Sequence, residues 1–340
     1  MHGSTLRRVV RAFRLDTPAT PRLTKVLQLY CELAAVDPDT IKRNARVFRH
    51  FIRVTGNQRT GNVTKLMAAQ FQARLSADGK AKATIKSYCA SVSSVFGWAV
   101  ENVDSVGVNP FKGLKRPKLD KTEPTYFTRD EMDRLYGAIE ALDWRDPILR
   151  LQWWAILLVA DTCGFRIGEI LNVRWDDIDL DGRLIKVRHR PHMPGECWEW
   201  GTKGHRDRFM PIPDDLLALL YRMKQTCPWR YPFLKERRCL YLQENSGSLS
   251  DSTRKRPYTN LYETWKRIRA TANVKGDGAF HDVRRLAATE LAPDLSAQEL
   301  KLAFGWQSLS TAEFYLGTCD CTQKEAVARA QANRAAKCSI

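Results

Sequence analysis

Between Arg116 and Pro124 the chain carries two prolines, five charges and one apolar side chain, Leu119. Such a stretch cannot sustain a helix through its prolines and has no face to bury, so it reads as an exposed linker. It divides 340 residues into two units, each long enough to bury its own core. The expected organisation is a basic tail over 1–20, a helical domain over 21–115, a linker over 116–124, and a second domain over 125–340 that ends in a helix.

The upstream domain is helical in period, with turn signals at Gly56, Gly61, Gly79 and Asn109-Pro110. Ile41, Ala45, Phe48 and Ile52 recur at i, i+4, i+7 and i+11, and Val47 and Phe51 widen this apolar stripe. Beside it Lys42, Arg46, Arg49 and Arg53 form a basic stripe, with Arg43 and His50 on the same side. A basic helix face of that length suits a run of phosphates, although a solvated face has the same composition. A second helix over about 83–101 places Ile85, Cys89, Val92, Phe96 and Ala99 inward, and Lys80, Lys82 and Lys86 crowd its start.

The charge balance points the same way. Lys and Arg total 55 against 38 Asp and Glu, a formal charge of +17, which favours a polyanionic partner, nucleic acid first. No apolar run approaches the roughly 20 residues that span a bilayer, and the N-terminus, with Arg7, Arg8, Arg11 and Arg14, lacks the apolar block of a signal peptide. The expectation is a soluble, cytoplasmic protein without a membrane partner. Nine cysteines without a CxxC pair suggest reduced thiols rather than a disulfide framework or a zinc ribbon. His189, His192 and Cys197 lack a fourth ligand at standard spacing, so no metal site is expected.

Downstream of the linker, Thr128-Arg-Asp-Glu131 is a capping box, and Leu149 to Val159 is apolar enough for a buried helix. Leu184 to Val187, the stretch around Cys197 to Thr202, and Arg208 to Ile212 read as strands of a small antiparallel sheet, with turns at Pro194-Gly195 and Lys203-Gly204. The remainder is helical, so the fold class is mainly α with a small antiparallel β-sheet.

Several residues invite chemistry, each with a plain structural alternative. Arg166 and Glu169 share a helical face at i, i+3, as do His281 and Arg284, which suits two groups addressing one phosphate but also suits an ordinary surface pair. Lys203 sits in a tight turn from which a long ammonium reaches a ligand or simply water. Tyr315 follows Trp306 by nine residues, and a tyrosine there is more often packing than nucleophile.

In this order and at these separations, however, Gly164-Phe-Arg166-Ile-Gly-Glu169, Lys203, His281-Asp-Val-Arg284, Phe304-Gly-Trp306 and Tyr315 closely resemble the active-site boxes of the tyrosine recombinases and phage integrases. Leu171 to Asp179 resembles the segment after the first arginine box, and Ala83 to Tyr88 with Asn109-Pro-Phe resembles the core-binding domain, so the likeness runs from about residue 21. It implies a helical core-binding domain plus an α+β tyrosine-recombinase catalytic domain, closing on DNA as two arms. By the resemblance Tyr315 attacks the scissile phosphate to form a 3′-phosphotyrosyl link, Arg166 and Arg284 hold the non-bridging oxygens, and Glu169 supports Arg166. Lys203 protonates the leaving oxygen, His281 contacts the phosphate or assists the tyrosine proton, and Trp306 packs on the site and donates its indole N–H. No cofactor, metal or nucleotide is implied. The implied partner is double-stranded DNA with paired recombination sites, bound by a homotetramer that is a monomer or weak oligomer when free. The alanine-rich stretch from Gln323 to Ala336 would be the helix that docks into a neighbouring subunit.

Two departures stand out. Trp306 replaces the usual histidine, and Arg285-Leu286 replaces the common histidine-threonine after the second arginine, a change expected to affect packing more than activity. The segment between Lys186 and Lys203 is longer than the family minimum and has no assigned role. Two other readings share parts of this pattern: a type IB topoisomerase-like enzyme that relaxes DNA, and a non-catalytic architectural DNA-binding protein.

Overall fold

The computed structural model describes residues 20–118, 126–190, 207–245, 261–274 and 279–316. The expected strand over 197–202, the Lys203 turn, the C-terminal helix over 323–336 and most of the tail and linker lie outside them. The chain falls into two compact units, Met1–Thr122 and Glu123–Ile340.

The first unit is helical: α1 (Leu23–Leu33), α2 (Pro38–Thr55), α3 (Lys65–Ala77) and α4 (Lys82–Asn102). Asp37 starts α2 by accepting the backbone N–H of Asp39 at 2.9 Å and Thr40 at 3.2 Å, with Pro38 in the first turn where a missing N–H costs nothing. Ala45, Val47, Phe48 and Phe51 are buried, with Ile41 and Ile52 packed at the margin. Phe51 meets Phe71 at 5.2 Å and Phe111 at 5.5 Å between centroids, and burial of each such ring stabilises the core by about 1.5–3 kcal/mol. Asn44 also turns inward, donating to the Tyr30 hydroxyl at 2.9 Å. His50 departs from the expected basic side, because its ring lies half-buried against Phe71 and Tyr88. On α4, Ile85, Cys89, Val92, Phe96 and Ala99 are buried as the periodicity predicts.

In the second unit, α5 (Arg129–Ala141) opens with the reciprocal Thr128 and Glu131 cap. The apolar run forms α6 (Pro147–Cys163), whose residues from Ala155 to Ala160 are all buried, and α7 (Ile167–Leu171) follows after a sharp turn. Strands β1 (Ile178–Asp179), β2 (Leu184–Val187) and β3 (Arg208–Pro211) make an antiparallel sheet in that order. The sequence does not predict β1. It forms because Ile178, paired with Ile185, covers the core from the sheet edge. β2 pairs directly with β3, setting Ile185 opposite Met210 and Val187 opposite Arg208. The helices α8 (Asp214–Thr226), α9 (Glu236–Glu244), α10 (Leu261–Thr271), α11 (Phe280–Leu291), α12 (Ala297–Phe304) and α13 (Leu309–Leu316) complete the unit. α11 packs along α6, and α13 packs on α12 and α11. This arrangement brings the end of α6, the start of α11 and the last described helix together.

Candidate active site

The site is built on the turn that ends α6. Gly164 takes the left-handed conformation, φ +60°, that glycine adopts without steric cost. A Cβ there would lie 2.3 Å from the Phe304 ring. After the turn Arg166 caps α7, and Glu169, three residues on, reaches back. One carboxylate oxygen accepts the Arg166 backbone N–H at 2.7 Å and the other accepts from Nη1 at 2.8 Å. The i, i+3 spacing read from the sequence is thus a real contact, but it is buried rather than on the surface, with Glu169 only 3% exposed.

Two further guanidiniums converge on the same carboxylate. Arg208, from β3, engages both oxygens of Glu169 in a fork, with Nη1 at 3.1 Å from one of them. Arg284, from α11 and 2% exposed, brings Nη1 to 3.7 Å. Burial pushes the Glu169 carboxyl upward, but Arg208, Arg284 and Arg166 outweigh it and hold its pKa at about 2. Three guanidiniums against one carboxylate leave the cluster with a net charge of +2. Arg208 was not singled out as a site residue from the sequence. Its signal is register, because it alternates with the buried Met210 and Ile212 along one strand, and an arginine in an inward register requires an anion.

Arg284 also ties the boxes together. Nη1 donates to the Gly164 carbonyl at 2.6 Å and Nη2 to the Phe304 carbonyl at 2.5 Å, while the guanidinium lies over the Phe304 ring at 5.1 Å. Burial, then Arg166, lowers its pKa to about 9, which leaves it cationic at neutral pH. A guanidinium has five N–H donors, so two carbonyls do not exhaust it. His281 lies in the first turn of α11, its ring accessible. Partial burial first, then Arg284, Arg285 and Arg166, pull it below the ordinary imidazole value, so it is neutral near pH 7.

Past α12, Gly305 in the left-handed conformation reverses the chain and delivers Trp306. The Trp306 indole stacks on Phe304 at 4.9 Å and on Tyr315 at 5.0 Å. Tyr315 is 8% exposed; burial raises its pKa, and Arg285 and Arg284 act against that rise. Arg285, expected from the sequence to affect packing more than activity, has its Nη1 donating to Asp282 Oδ1 at 2.6 Å. Arg166, Glu169, His281, Arg284, Trp306 and Tyr315 therefore stand in one neighbourhood, and Lys203 is outside the described residues.

In the first unit Lys42, Arg43, Arg46, Arg49, Arg53, Lys82 and Lys86 are all exposed, the arginines and Lys42 along α2 and the two lysines in the first turns of α4. His189 is half-buried with its backbone N–H donating to Asp207, while His192 and Cys197 lie outside the described residues. Among the described residues no group of three His, Cys, Asp or Glu side chains is placed to hold a metal ion.

Comparison with known proteins identifies the family and the fold. Residues 125–319, more than half of the chain, match the model of the Phage integrase family. A tyrosine recombinase of Thermosipho africanus is 26% identical over 314 residues, covering 90% of this chain and 99% of the relative. The fold is that of the Tn1549 transposon integrase solved with transposon right-end DNA, TM-score 0.67 at 18% identity over 93% of this chain and all of that one. It is also that of lambda integrase, solved as a tetramer on a Holliday junction, TM-score 0.64 at 19% identity over 87% of this chain and 77% of that one.

Proposed function

The chain belongs to the phage integrase family, and we propose that it carries out site-specific DNA recombination by cleaving and rejoining strands through a 3′-phosphotyrosyl link to Tyr315. The observation that carries this reading is the +2 cluster of Arg166, Arg208 and Arg284 on Glu169, set beside a buried tyrosine. A phosphodiester gains negative charge on its non-bridging oxygens as it is attacked, and fixed guanidiniums in a partly desolvated site favour that state over the ground state.

In this scheme Arg166 and Arg284 bind the scissile phosphate, Glu169 and Arg208 hold them in place, and Trp306 fixes the tyrosine ring. The Tyr315 oxygen forms a bond to phosphorus as the bond to the 5′ oxygen breaks. His281, neutral near pH 7, receives the phenolic proton, and Lys203 supplies one to the leaving 5′ oxygen. The phosphotyrosine keeps the energy of the broken bond, so the 5′ hydroxyl of a partner strand reverses the step and no metal or nucleotide is consumed. The exposed basic residues of α2 and α4 lie along the DNA backbone. Paired sites require more than one subunit, and the tetramer of lambda integrase on a Holliday junction supports a tetramer here. The working compartment is the cytoplasm, where such DNA is found.

The test is an in vitro reaction with two duplexes carrying the natural flanking DNA of this gene. Hybrid products joining the two substrates at one sequence support recombination. Relaxation of a supercoiled plasmid without hybrid products would replace that reading with a topoisomerase-like one.

A further inference from the structure

Arg129, in the first turn of α5, makes contacts that the scheme above leaves unused. Its Nη1 donates to both oxygens of Asp161 on α6, at 2.9 and 2.8 Å. Its Nε donates to Glu290 Oε1 on α11 at 2.6 Å, and Nη2 engages the other Glu290 oxygen. Asp161 is 7% exposed and also accepts the Tyr136 hydroxyl at 3.0 Å. One guanidinium thus joins two like-charged carboxylates on helices that pack along each other. These are the two helices that lead to the site, because α6 ends in the Gly164 turn before Arg166 and α11 carries His281 and Arg284. Asp161 stands three residues before Gly164, about 4.5 Å along the helix axis, and the Gly164 carbonyl is the one to which Arg284 donates. Beside the bridge lies a hollow of about 380 Å³ whose lining includes Arg129, Tyr136, Asp161, Ala287 and Glu290. With that hollow unfilled, the polar bridge rather than close packing holds α6 and α11 to their spacing at this end.

We propose that Arg129 is a positioning residue for strand cleavage: by bridging Asp161 and Glu290 it sets the separation of α6 and α11, and through it the spacing of Arg166 and Arg284, the guanidiniums that receive the phosphate. The proposal rests on the reading of those two arginines as the phosphate-binding pair. Without Arg129, two carboxylates that shared one guanidinium are left to repel across the interface, and the helices part at the bridge. Parting there is carried through three residues of α6 to the Gly164 carbonyl, lengthening the 2.6 Å contact that holds Arg284. Arg166 follows Gly164 by two residues, so the pair no longer matches two non-bridging oxygens. An ion pair between exposed groups contributes little. This one differs because Asp161 is buried on the helix that ends at the site, with a side chain 6% exposed. The effect of Arg129 on the chemistry passes through the placement of two other charges.

The test follows single-turnover attachment of the full-length protein to two versions of its cleavage site: the natural phosphodiester and a methylphosphonate, in which a methyl group replaces one non-bridging oxygen and removes the charge that the arginines offset. On the phosphodiester Arg129→Ala should attach about 10- to 100-fold more slowly than wild type, the range for a misplacement approaching 1 Å, with Arg129→Lys less affected. On the methylphosphonate that deficit should shrink by about 10-fold, because charge placement matters less there. Glu290→Gln, which keeps an acceptor but weakens one half of the bridge, should repeat the pattern more mildly and decides the matter if Arg129→Ala does not fold. A deficit equal on both substrates would mean a purely structural role and overturn the proposal, as would an Arg129→Ala rate equal to wild type on the phosphodiester. The second readout needs no cleavage: binding of inorganic tungstate, a tetrahedral dianion, to the DNA-free protein, counting only the component lost in Arg284→Ala. Arg129→Ala should weaken that component about 10-fold, and an unchanged affinity would contradict the proposal. Absence of any such component in wild type would remove the arginine pair as an anion site and the proposal with it. If wild type attaches to neither DNA while tungstate binding depends on Arg129, the recombinase reading fails and the positioning of the arginine pair by Arg129 stands.

Discussion

The Trp306 indole and the Tyr315 ring lie parallel, 4° apart with centroids at 5.0 Å. The position of the phenol ring is therefore set in part by a side chain nine residues away. Trp306→Phe preserves a ring for Tyr315 to stack on and removes the indole N–H. Trp306→Ala removes both. An aromatic pair contributes about 0.5–1.5 kcal/mol beyond its burial, and a nucleophile misplaced by about 1 Å loses roughly 100-fold in rate. Covalent attachment to DNA in single-turnover assays should therefore fall about 100-fold in Trp306→Ala and less in Trp306→Phe. Equal losses in the two variants would shift the role from stacking to the indole N–H.

Glu169 neutralises one of three guanidiniums that would otherwise repel one another. Glu169→Gln leaves them without their counter-charge, and breaking such a buried pair costs about 3–5 kcal/mol. Denaturant unfolding should show a loss of that size. The same carboxylate gives an acid dependence. Its folded pKa of about 2 lies below the ordinary 4.5, so its stabilisation is complete above about pH 4.5 and is lost as pH falls through about 2. Wild type should lose stability over that window, and the loss should be smaller in Glu169→Gln.

Gly164→Ala strains a left-handed backbone and drives a methyl group into the Phe304 ring. Backbone strain of this kind costs about 1–3 kcal/mol, and displacement of Phe304 disturbs the carbonyl that receives Arg284. The variant should be destabilised by about 2 kcal/mol or more and should lose activity beyond what its folded fraction explains. Full activity per folded molecule would show that Arg284 does not depend on this turn.

How much of this site is legible in sequence depends on the range of each contact. Arg166 and Glu169 are neighbours along one helix turn, so spacing alone finds them. The capping box at Thr128 and the apolar face of α4 are equally local. Arg208 is different, because its contact with Glu169 spans 39 residues and appears only once β3 is paired and its inward register known. The pairing of Trp306 with Tyr315 is further removed, since it forms only when α13 docks on α12 and α11. β1 was missed because two residues carry no period, and its pairing is decided by the partner strand. His50 fell on the basic side by helical angle, yet the rings of Phe71 and Tyr88 occupy its surroundings.

The basic face of α2 makes a prediction independent of the chemistry. Each of Arg46 and Arg49 that contacts a phosphate releases condensed counterions, so its removal should reduce the slope of log affinity against log salt by about 1. Equilibrium DNA binding of Arg46→Ala, Arg49→Ala and the double variant over a salt series checks this. An unchanged slope would identify these residues as a solvated face.

The most direct test of the central claim compares wild type with Tyr315→Phe on the gene's natural flanking DNA, followed by denaturing capture and sequencing of DNA that stays with the protein. Attachment at a defined sequence by wild type, with none in Tyr315→Phe despite native DNA binding, is the expected result. Attachment that persists in Tyr315→Phe would contradict the assignment of Tyr315 as nucleophile, and absence from both proteins on a DNA they bind would contradict covalent strand transfer altogether.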